Sequence, residues 1–369
     1  MIGENAVTAT VAAQPQTSES FLAGPLPAYV YDLVELGAHV RDIRAALGDV
    51  ELYYAVKANP DPELMRTLAP HVDGFEVASG GELAHVREHF PHAPIALGGP
   101  GKTDAELFGD VTRLHVESPG ELRRLLASGH SADVLLRVNL DIPIEGASLA
   151  MGGGATPFGM DPAGIAECVA LLETQSAVRL HGVHAHLASG LDAPRMLELA
   201  AAVLDYARTL GATEINLGGG MAVSYADPDD RFDWAAYGKG LAALRRPGET
   251  LRIEPGRSLT VYCGRYVTRV IDVKRVHGEL FAVVAGGTHH IRTPATKGHD
   301  QPLVMTKAGE PITIVGQLCT PKDILARRVP IALKPGDLVE FTMAGAYAWN
   351  ISHHDFLMHQ KPSFHYLTR

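Results

Sequence analysis

The stretch LYYAVKANP, residues 52–60, ends an apolar, aromatic-rich run with one lysine and follows it at once with Ala-Asn-Pro. The run predicts a strand, and an ammonium buried in a strand loses its hydration unless it is paired or gives up its proton. Lys57 is therefore a candidate reactive amine of the kind that forms Schiff bases. The alternative is a lysine at a frayed strand end whose ammonium reaches solvent.

Composition limits the classes of function. The 369 residues suffice for one large α/β barrel with a smaller module, or for two ordinary domains. Lys and Arg number 32 and Asp and Glu 42, a formal net charge of −10 with scattered positive residues, which argues against a nucleic-acid partner. The three cysteines, Cys168, Cys263 and Cys319, form no C-x-x-C pair, so we expect neither a disulfide framework nor a zinc ribbon. We expect a cytoplasmic location, because a reducing compartment fits this cysteine usage.

The amino terminus and the hydropathy pattern bear on membranes. Residues 1–20 lack a basic region followed by a continuous apolar one, and no run of about eighteen apolar residues occurs anywhere. We therefore expect a soluble protein with a disordered tail over residues 1–20 and no membrane partner.

Short apolar runs alternate with amphipathic stretches from about residue 34 to 260, the pattern of βα units around a parallel sheet. Eight strands followed by helices predict a (β/α)8 TIM barrel over 34–260, with an open doubly wound sheet as the alternative. Two helices are expected to begin at capping boxes, Ser79 with Glu82 and Ser118 with Glu121. The eight predicted strands are 51–56, 73–77, 94–98, 112–116, 133–138, 180–186, 214–217 and 251–254.

After Pro255 the sequence changes to β-branched runs without helical periodicity, such as YVTRVIDVKRV and DLVEFTMAGAY. These runs predict a β-rich domain over 261–369. Residues 21–33 contain PAYVYD, a short strand expected to join that domain. Residues 139–160 form a long glycine-rich stretch, and long loops in compact domains are usually functional or mobile.

Unusual residues fall at the carboxyl ends of the predicted strands, where TIM barrels carry their active sites. Lys57 closes the first strand and His186 closes the sixth. Gly218–Gly220 follow the seventh strand, and Glu254–Arg257 end the eighth. Glycine-rich turns after the last two strands can bind a phosphate through main-chain N–H groups.

Together these groups suit one ligand that carries a phosphate, an aldehyde for the lysine, a ring for the histidine and a ring nitrogen for the carboxylate. Pyridoxal phosphate meets all four requirements. Each residue also has a simpler interpretation, since His186 could be a hydrogen-bonded core histidine and Glu254 could cap a turn.

The sequence also resembles a family. The segments YYAVKANP, GFEVASGGEL, HAHLASG, INLGGG, EPGRSL, GQLCTPKD and MAGAYAW, in this order over residues 27–360, are similar to those of the fold-type III pyridoxal-phosphate decarboxylases. That family includes diaminopimelate, ornithine and arginine decarboxylases. The resemblance implies an alanine-racemase-like barrel with a β domain, and a homodimer with two active sites at the subunit interface.

The resemblance also assigns roles to residues. Lys57 is the implied Schiff-base lysine, His186 stacks on the cofactor ring and Glu254 pairs with the pyridine nitrogen. Cys319 and Asp323 match a loop that the partner subunit contributes, with Cys319 as the acid that protonates the carbanion. Six residues match phosphate-binding positions: Ser189, Gly219, Gly220, Gly256, Arg257 and Tyr347.

One departure from the family concerns the substrate. Diaminopimelate decarboxylases usually carry a glutamate after the cysteine, where it receives a distal amino group, but this chain has Thr320. Two segments, GGTHHIRTPA (286–295) and WNISHHDFLMH (349–359), resemble the branch that decarboxylates citryl-diamino acid conjugates in carboxylate-siderophore biosynthesis. Arginine and histidine suit a substrate with several carboxylates. The candidate substrate-binding residues are Arg292, His289, His290, Thr320, His353 and His354.

Other interpretations remain open. The histidine-rich tail could be an ordinary solvated segment or an adventitious transition-metal site, and no dedicated metal site is expected. The chain could instead be a diaminopimelate or basic amino-acid decarboxylase, or a silent homologue that binds pyridoxal phosphate without turnover. A racemase is disfavoured because a glutamate at the ring nitrogen stabilises the full carbanion.

Overall fold

The computed structural model describes residues 24–173, 177–292 and 300–368. The chain divides into two compact units. The barrel unit comprises residues 37–222 and 232–259, and the β unit comprises the residues up to 36 together with 223–231 and 260–369. The predicted disordered tail, residues 1–20, lies outside the described residues.

The barrel unit contains a closed barrel of eight parallel strands, which confirms the TIM barrel and excludes the open sheet. The barrel closes where the last strand pairs with the first, through Arg252 with Glu51 and Ile253 with Leu52. Each strand overlaps a predicted run. In chain order the barrel strands are β2 (Glu51–Ala55), β3 (Gly74–Val77), β4 (Ile95–Leu97), β5 (Arg113–Val116), β6 (Ala132–Arg137), β8 (Val178–His184), β10 (Glu214–Asn216) and β11 (Thr250–Ile253).

Helices alternate with these strands. The first helix begins in the β unit and continues into the barrel unit. The helices are α1 (Leu33–Leu47), α2 (Pro62–Leu68), α3 (Gly80–His89), α4 (Asp104–Leu107), α5 (Pro119–Ser128), α6 (Pro162–Leu172), α7 (Ala193–Thr209), α8 (Trp234–Leu244) and α9 (Arg257–Thr260).

The two predicted helix starts lie where the sequence places them. The Ser79 hydroxyl accepts a hydrogen bond from the Glu82 N–H at 3.2 Å, and the Ser118 hydroxyl accepts one from the Glu121 N–H at 3.0 Å. In both helices the glutamate carboxylate bonds to the N–H of the residue before the serine instead of the serine's own. The serine therefore satisfies one free N–H of the first turn and the glutamate satisfies another just outside it.

The amino-terminal end of the barrel is closed by a network of ion pairs. The Arg113 guanidinium donates to both oxygens of Glu214, at 2.9 and 2.7 Å. Arg252 donates to Glu214 at 2.8 Å and to Glu51 at 2.9 Å, and its guanidinium carbon lies 4.4 Å from the centre of the Tyr53 ring. Each buried charge in this network therefore has an opposite charge in direct contact.

The glycine-rich stretch 139–160 is held by a short ribbon. Within it β7 (Leu149–Ala150) pairs antiparallel with β9 (Ala188–Ser189), which follows β8. The Ser148 N–H and hydroxyl both donate to the Ser189 carbonyl, at 2.8 and 2.9 Å. The stretch is thus attached at a residue that the sequence analysis assigned to phosphate binding.

The β unit is built on a seven-stranded sheet. Its first strand, β1 (Ala28–Asp32), pairs antiparallel with β12 (Gly264–Val276) and parallel with β17 (Ser363–Leu367). Residues 223–231 belong to this unit, and the sequence analysis did not separate them from the barrel. Arg231 lies over the Tyr262 ring at 4.1 Å. The remaining strands are β12 (Gly264–Val276), β13 (Glu279–Val284), β14 (Ala308–Val315), β15 (Ile324–Ile331), β16 (Leu338–Phe341) and β17 (Ser363–Leu367).

All three cysteines are free thiols, with Cys168 and Cys263 buried and Cys319 exposed. Across the described ranges, the helices are too short or too polar to cross a membrane.

Candidate active site

Lys57 lies just past the first barrel strand. The strand ends at Ala55, and a 3₁₀ turn over Val56–Ala58 carries the lysine. Its Nζ donates to the Glu76 carboxylate at 2.5 Å, and the lysine side chain is 43% exposed whereas that of Glu76 is 7% exposed. The amine is therefore paired and also open to solvent, so it neither lies buried in a strand nor points freely into water.

Glu76 is a functional candidate that the sequence analysis missed. Burial raises the pKa of its carboxyl above the ordinary value, the Lys57 ammonium opposes that rise and the Glu254 carboxylate adds to it. The signal was present in GFEV, where one acid interrupts a buried strand.

Glu254 follows β11 and is buried. One carboxylate oxygen accepts a hydrogen bond from the Asn216 amide at 2.6 Å, and the other accepts one from the His184 ring at 3.1 Å. Its backbone N–H donates to the Gly218 carbonyl at 2.8 Å. Both carboxylate oxygens are thus oriented by side chains from neighbouring strands, and Asn216 and His184 were not predicted.

His184 stacks on a second buried histidine, His115, with ring centres 4.0 Å apart and planes 15° from parallel. The pKa of both rings lies well below the ordinary value. Burial is the main cause, and nearby positive charge is the second. Among the described residues, neither ring nitrogen of His115 has a hydrogen-bond partner. The carboxylate of Glu254 therefore lies beside two neutral imidazoles.

His186 lies two residues beyond His184. Its Nδ1 accepts a hydrogen bond from the Gly219 N–H at 2.9 Å, so the neutral ring carries its proton on Nε2. Burial, with the charges of Lys57 and Arg137, lowers the pKa of His186 to about 3. This side chain is a neutral aromatic surface fixed by the glycine turn.

The glycine turn 218–220 requires glycine. Gly218 and Gly220 have φ values of +67° and +111°, which L side chains rarely adopt. A Cβ on Gly219 would lie 2.4 Å from the Glu254 carbonyl oxygen, and one on Gly256 would lie 2.7 Å from the Ala58 Cβ. The absence of side chains leaves the backbone close to the strand ends, where N–H groups can hold an anion.

The sequence-predicted residues divide between the two units. Lys57, His186, Ser189, Gly219, Gly220, Glu254, Gly256 and Arg257 follow strands of the barrel unit. Arg292, His289, His290, Cys319, Thr320, Asp323, Tyr347, His353 and His354 belong to the β unit.

Asp323 organises the turn that carries Cys319 within the β unit. Its buried carboxylate accepts hydrogen bonds from the Thr288 N–H at 2.7 Å, the Thr288 hydroxyl at 2.9 Å and the Leu318 N–H at 2.8 Å. Thr320 donates its N–H to the Leu318 carbonyl at 2.8 Å. These contacts hold the exposed Cys319 thiol on a fixed turn.

The two adjacent histidines of the β unit are buried. His290 Nδ1 lies 3.2 Å from the Tyr266 hydroxyl, and the His289 and His290 rings are 4.0 Å apart. Burial lowers the pKa of His289 to about 4 and that of His290 to about 3. Both rings are therefore neutral near pH 7 and offer hydrogen bonds without charge.

The remaining β-unit candidates are more accessible. Arg292 and His353 are exposed, and His354 stacks on Trp349 at 3.8 Å. Tyr347 is half-buried with φ of +47°. The tail 349–359 is not among the groups that bring three metal-ligating atoms together in the described ranges.

Comparisons with known proteins assign the family. The pyridoxal-binding domain of pyridoxal-dependent decarboxylases matches residues 33–261. A Staphylococcus aureus protein, 2-[(L-alanin-3-ylcarbamoyl)methyl]-2-hydroxybutanedioate decarboxylase, is 38% identical over 94% of this chain and 95% of its own. Diaminopimelate decarboxylase from Actinosynnema pretiosum is 33% identical over 87% of this chain and 79% of its own.

The fold is shared with a solved structure. Diaminopimelate decarboxylase from Helicobacter pylori, complexed with L-lysine, superposes with a TM-score of 0.86 at 24% identity, over 95% of this chain and 93% of that one. This chain belongs to the pyridoxal-dependent decarboxylases. It is a carboxy-lyase whose cofactor is pyridoxal phosphate, as the resemblance implied.

The residues at the barrel's carboxyl end fit this cofactor. The buried Glu254 carboxylate suits a protonated ring nitrogen, and Lys57 supplies an amine. The glycine turn packs directly against the strand ends, where a Cβ would collide with neighbouring backbone, and it brings main-chain N–H groups to this end of the barrel. These features provide for the ring, the aldehyde and the phosphate.

Proposed function

We propose that this decarboxylase removes the α-carboxylate from the amino-acid end of a citryl-diamino acid conjugate in carboxylate-siderophore biosynthesis. The similarity to the Staphylococcus aureus enzyme carries this proposal. That relative's substrate joins a 2-hydroxybutanedioate to an alanine through an amide, so it has three carboxylates and an α-amino group but no distal amine. Thr320, a neutral residue, is compatible with such a substrate.

Each barrel residue has a distinct part in the mechanism. When bound, pyridoxal phosphate supplies an aldehyde for an amine and a ring that accepts the electron pair left by CO2. Lys57 would attach the cofactor, and Glu76 orients its amine. Glu254, oriented by Asn216 and His184, would hold the proton on the ring nitrogen, and the neutral His186 would offer its face to the ring.

The phosphate is held by a separate set of groups. Main-chain N–H groups in the glycine turns would bind it without a charged side chain at each contact. The Gly219 N–H, which donates to His186 Nδ1, would act by fixing the turn. The residues assigned to this task are Ser189, Gly219, Gly220, Gly256, Arg257 and Tyr347.

Cys319 is proposed to return a proton to the substrate carbon after CO2 leaves. Its thiol is exposed, and Asp323 fixes the turn that carries it. The turn is proposed to serve the cofactor of the partner subunit, so that a homodimer is the catalytic unit.

Subunit mixing tests the homodimer. Lys57→Ala and Cys319→Ala proteins are mixed under conditions in which subunits exchange, and random pairing makes half of the dimers hybrid. If sites are shared, one of the two sites in each hybrid is intact, and about a quarter of wild-type activity should return. No recovery after verified exchange contradicts a shared site.

Substrate recognition is proposed to depend on Arg292, because guanidinium binds carboxylates bidentately. The exposed His353 and the stacked His354 are proposed to assist. The buried His289 and His290 are proposed to contribute hydrogen bonds rather than charge, since both are neutral near pH 7.

The decisive assay measures CO2 release from the citryl-diaminopropionate conjugate, meso-diaminopimelate and ornithine. The conjugate should turn over fastest, because burying the unpaired distal ammonium of the other two substrates costs several kcal/mol. Arg292→Ala should raise KM for the conjugate about tenfold or more. Faster turnover of diaminopimelate contradicts the substrate while leaving the decarboxylase assignment intact.

The three free thiols support a reducing compartment, and we propose a cytoplasmic location on that basis.

A further inference from the structure

The last turns of α3 carry a second cluster of coordinating side chains, outside the cofactor site. His85, Glu88 and His89 each offer one donor atom, and the three atoms lie within 4.8 Å of one another. Positions i, i+3 and i+4 share one face of a helix, which explains why the three side chains converge. The His85 and His89 rings meet edge to face with centres 4.8 Å apart.

The His85 ring keeps one nitrogen available for coordination. Its Nε2 lies 2.7 Å from the Pro60 carbonyl oxygen. A carbonyl only accepts, so Nε2 carries the proton and Nδ1 carries the lone pair. A backbone carbonyl that fixes the second nitrogen in this way is the usual outer partner of a metal-bound histidine.

The surrounding charges also favour a cation. The Arg87 guanidinium, next to Glu88 in sequence, donates to the carbonyls of Ala93 at 2.7 Å and Asp110 at 3.0 Å. Among the described residues Glu88 forms no ion pair, so its carboxylate charge is available. The carboxyl-terminal end of a helix carries partial negative charge, which adds to the attraction.

We propose that His85, Glu88 and His89 bind a divalent late transition metal, with zinc as the best match. Two imidazoles and one carboxylate are ligands that zinc accepts, and water can complete the tetrahedron. Donors around tetrahedral zinc are about 3.3 Å apart, so small side-chain rotations bring these three into place.

A rival site within the described ranges is His115, His184 and Glu254, which also bring three ligand atoms within 4.8 Å. Both oxygens of Glu254 already accept hydrogen bonds there, and the group lies in the cofactor site. The partly exposed cluster on α3 has no such competing role.

Binding at α3 reaches the segment after Lys57. A cation on Nδ1 polarises the imidazole and strengthens the Nε2–H bond to Pro60, three residues beyond the lysine. Zinc should therefore stabilise this part of the folded barrel unit, since a ligand that binds only the folded state raises Tm.

The test titrates chelator-treated holoenzyme with zinc chloride by calorimetry. One equivalent should bind at α3, and His85→Ala and His89→Ala should each weaken that binding at least tenfold. His130→Ala, which removes an exposed histidine from another helix end, is the matched control and should bind as wild type does. Zinc should raise Tm in wild type and in His130→Ala but not in His89→Ala.

Three results overturn the proposal. The first is that the wild-type protein binds no zinc. The second is that His85→Ala and His89→Ala both bind zinc with wild-type affinity. The third is that a His353→Ala/His354→Ala protein, in which α3 is intact, no longer binds its equivalent of zinc. The last result assigns the metal to the histidine-rich tail.

Discussion

At the amino-terminal end of the barrel, Arg113, Glu214 and Arg252 are in direct contact with opposite charges, whereas at the carboxyl-terminal end His115 has no hydrogen-bond partner among the described residues. Burial alone would raise the pKa of Glu214, but the two guanidinium groups hold it below the ordinary value. The pKa of Glu76 at the other end is raised.

The difference separates stability from function. Matched ion pairs at the amino-terminal end of a TIM barrel serve the fold, whereas perturbed groups at the carboxyl-terminal end serve chemistry. Substitutions at one end should therefore change stability, and those at the other should change activity. The four predictions that follow test this separation from the largest expected effect to the smallest.

Lys57→Ala should abolish both activity and covalent attachment of pyridoxal phosphate, because only an amine can condense with the cofactor aldehyde. The folded state should survive, since the side chain is 43% exposed. Borohydride reduction followed by peptide mapping measures attachment, and label on a different lysine in wild type rules out the assignment.

Glu254→Gln should bind the cofactor but slow decarboxylation about 10²–10⁴-fold, because a neutral amide cannot hold the ring-nitrogen proton. Cofactor absorbance measures binding and CO2 release measures turnover. Asn216→Ala is an informative companion and should also reduce kcat, since it removes a hydrogen bond that orients the carboxylate. Wild-type turnover in Glu254→Gln would remove this residue from the mechanism.

Arg113→Met should lower the free energy of unfolding by about 1.5–3 kcal/mol, because Glu214 loses its bidentate partner but keeps its contact with Arg252. Turnover per folded molecule should stay at the wild-type value. Arg179→Ala is the matched control: this arginine pairs with Asp133 at 2.7 Å but is 70% exposed, and removing it should cost less than about 1 kcal/mol. Equal losses in denaturant unfolding would contradict the distinction.

His115→Phe should make the protein less sensitive to acid. Burial holds the pKa of His115 in the folded protein well below its value in the unfolded chain. At any pH between these two pKa values, the ring binds a proton in the unfolded chain but not in the folded protein. Stability is therefore full above about pH 6.5 and falls as pH decreases, by about 1–2 kcal/mol at pH 5 for one such group. Unfolding free energies at pH 7 and pH 5 measure the slope, and parallel curves for variant and wild type refute the assignment.

The strands of the barrel could be predicted because each is a short apolar run between helical patterns, and all eight runs overlap observed strands. Lys57, Glu254 and the glycine turn stood out as residues that strands and ordinary turns do not require. The alternation of runs also predicted the change to a β-rich region after Pro255.

Other features depend on contacts between distant residues. Asn216 and His184 orient Glu254 only because β8, β10 and β11 are neighbours in the closed barrel. The pairing of β7 with β9 involves two residues on each side, too few for a periodic signal. Residues 223–231 have no compositional boundary, and their place in the β unit follows from contacts such as Arg231 over Tyr262.

The distribution of thiols makes the folded chain selectively addressable by chemical labelling. Cys319 is exposed while Cys168 and Cys263 are buried, so an alkylating reagent should modify one position in the native state and three after denaturation. A fluorophore introduced there would sit on the turn fixed by Asp323. The same exposure makes this thiol the one most open to oxidants, because oxidation follows accessibility.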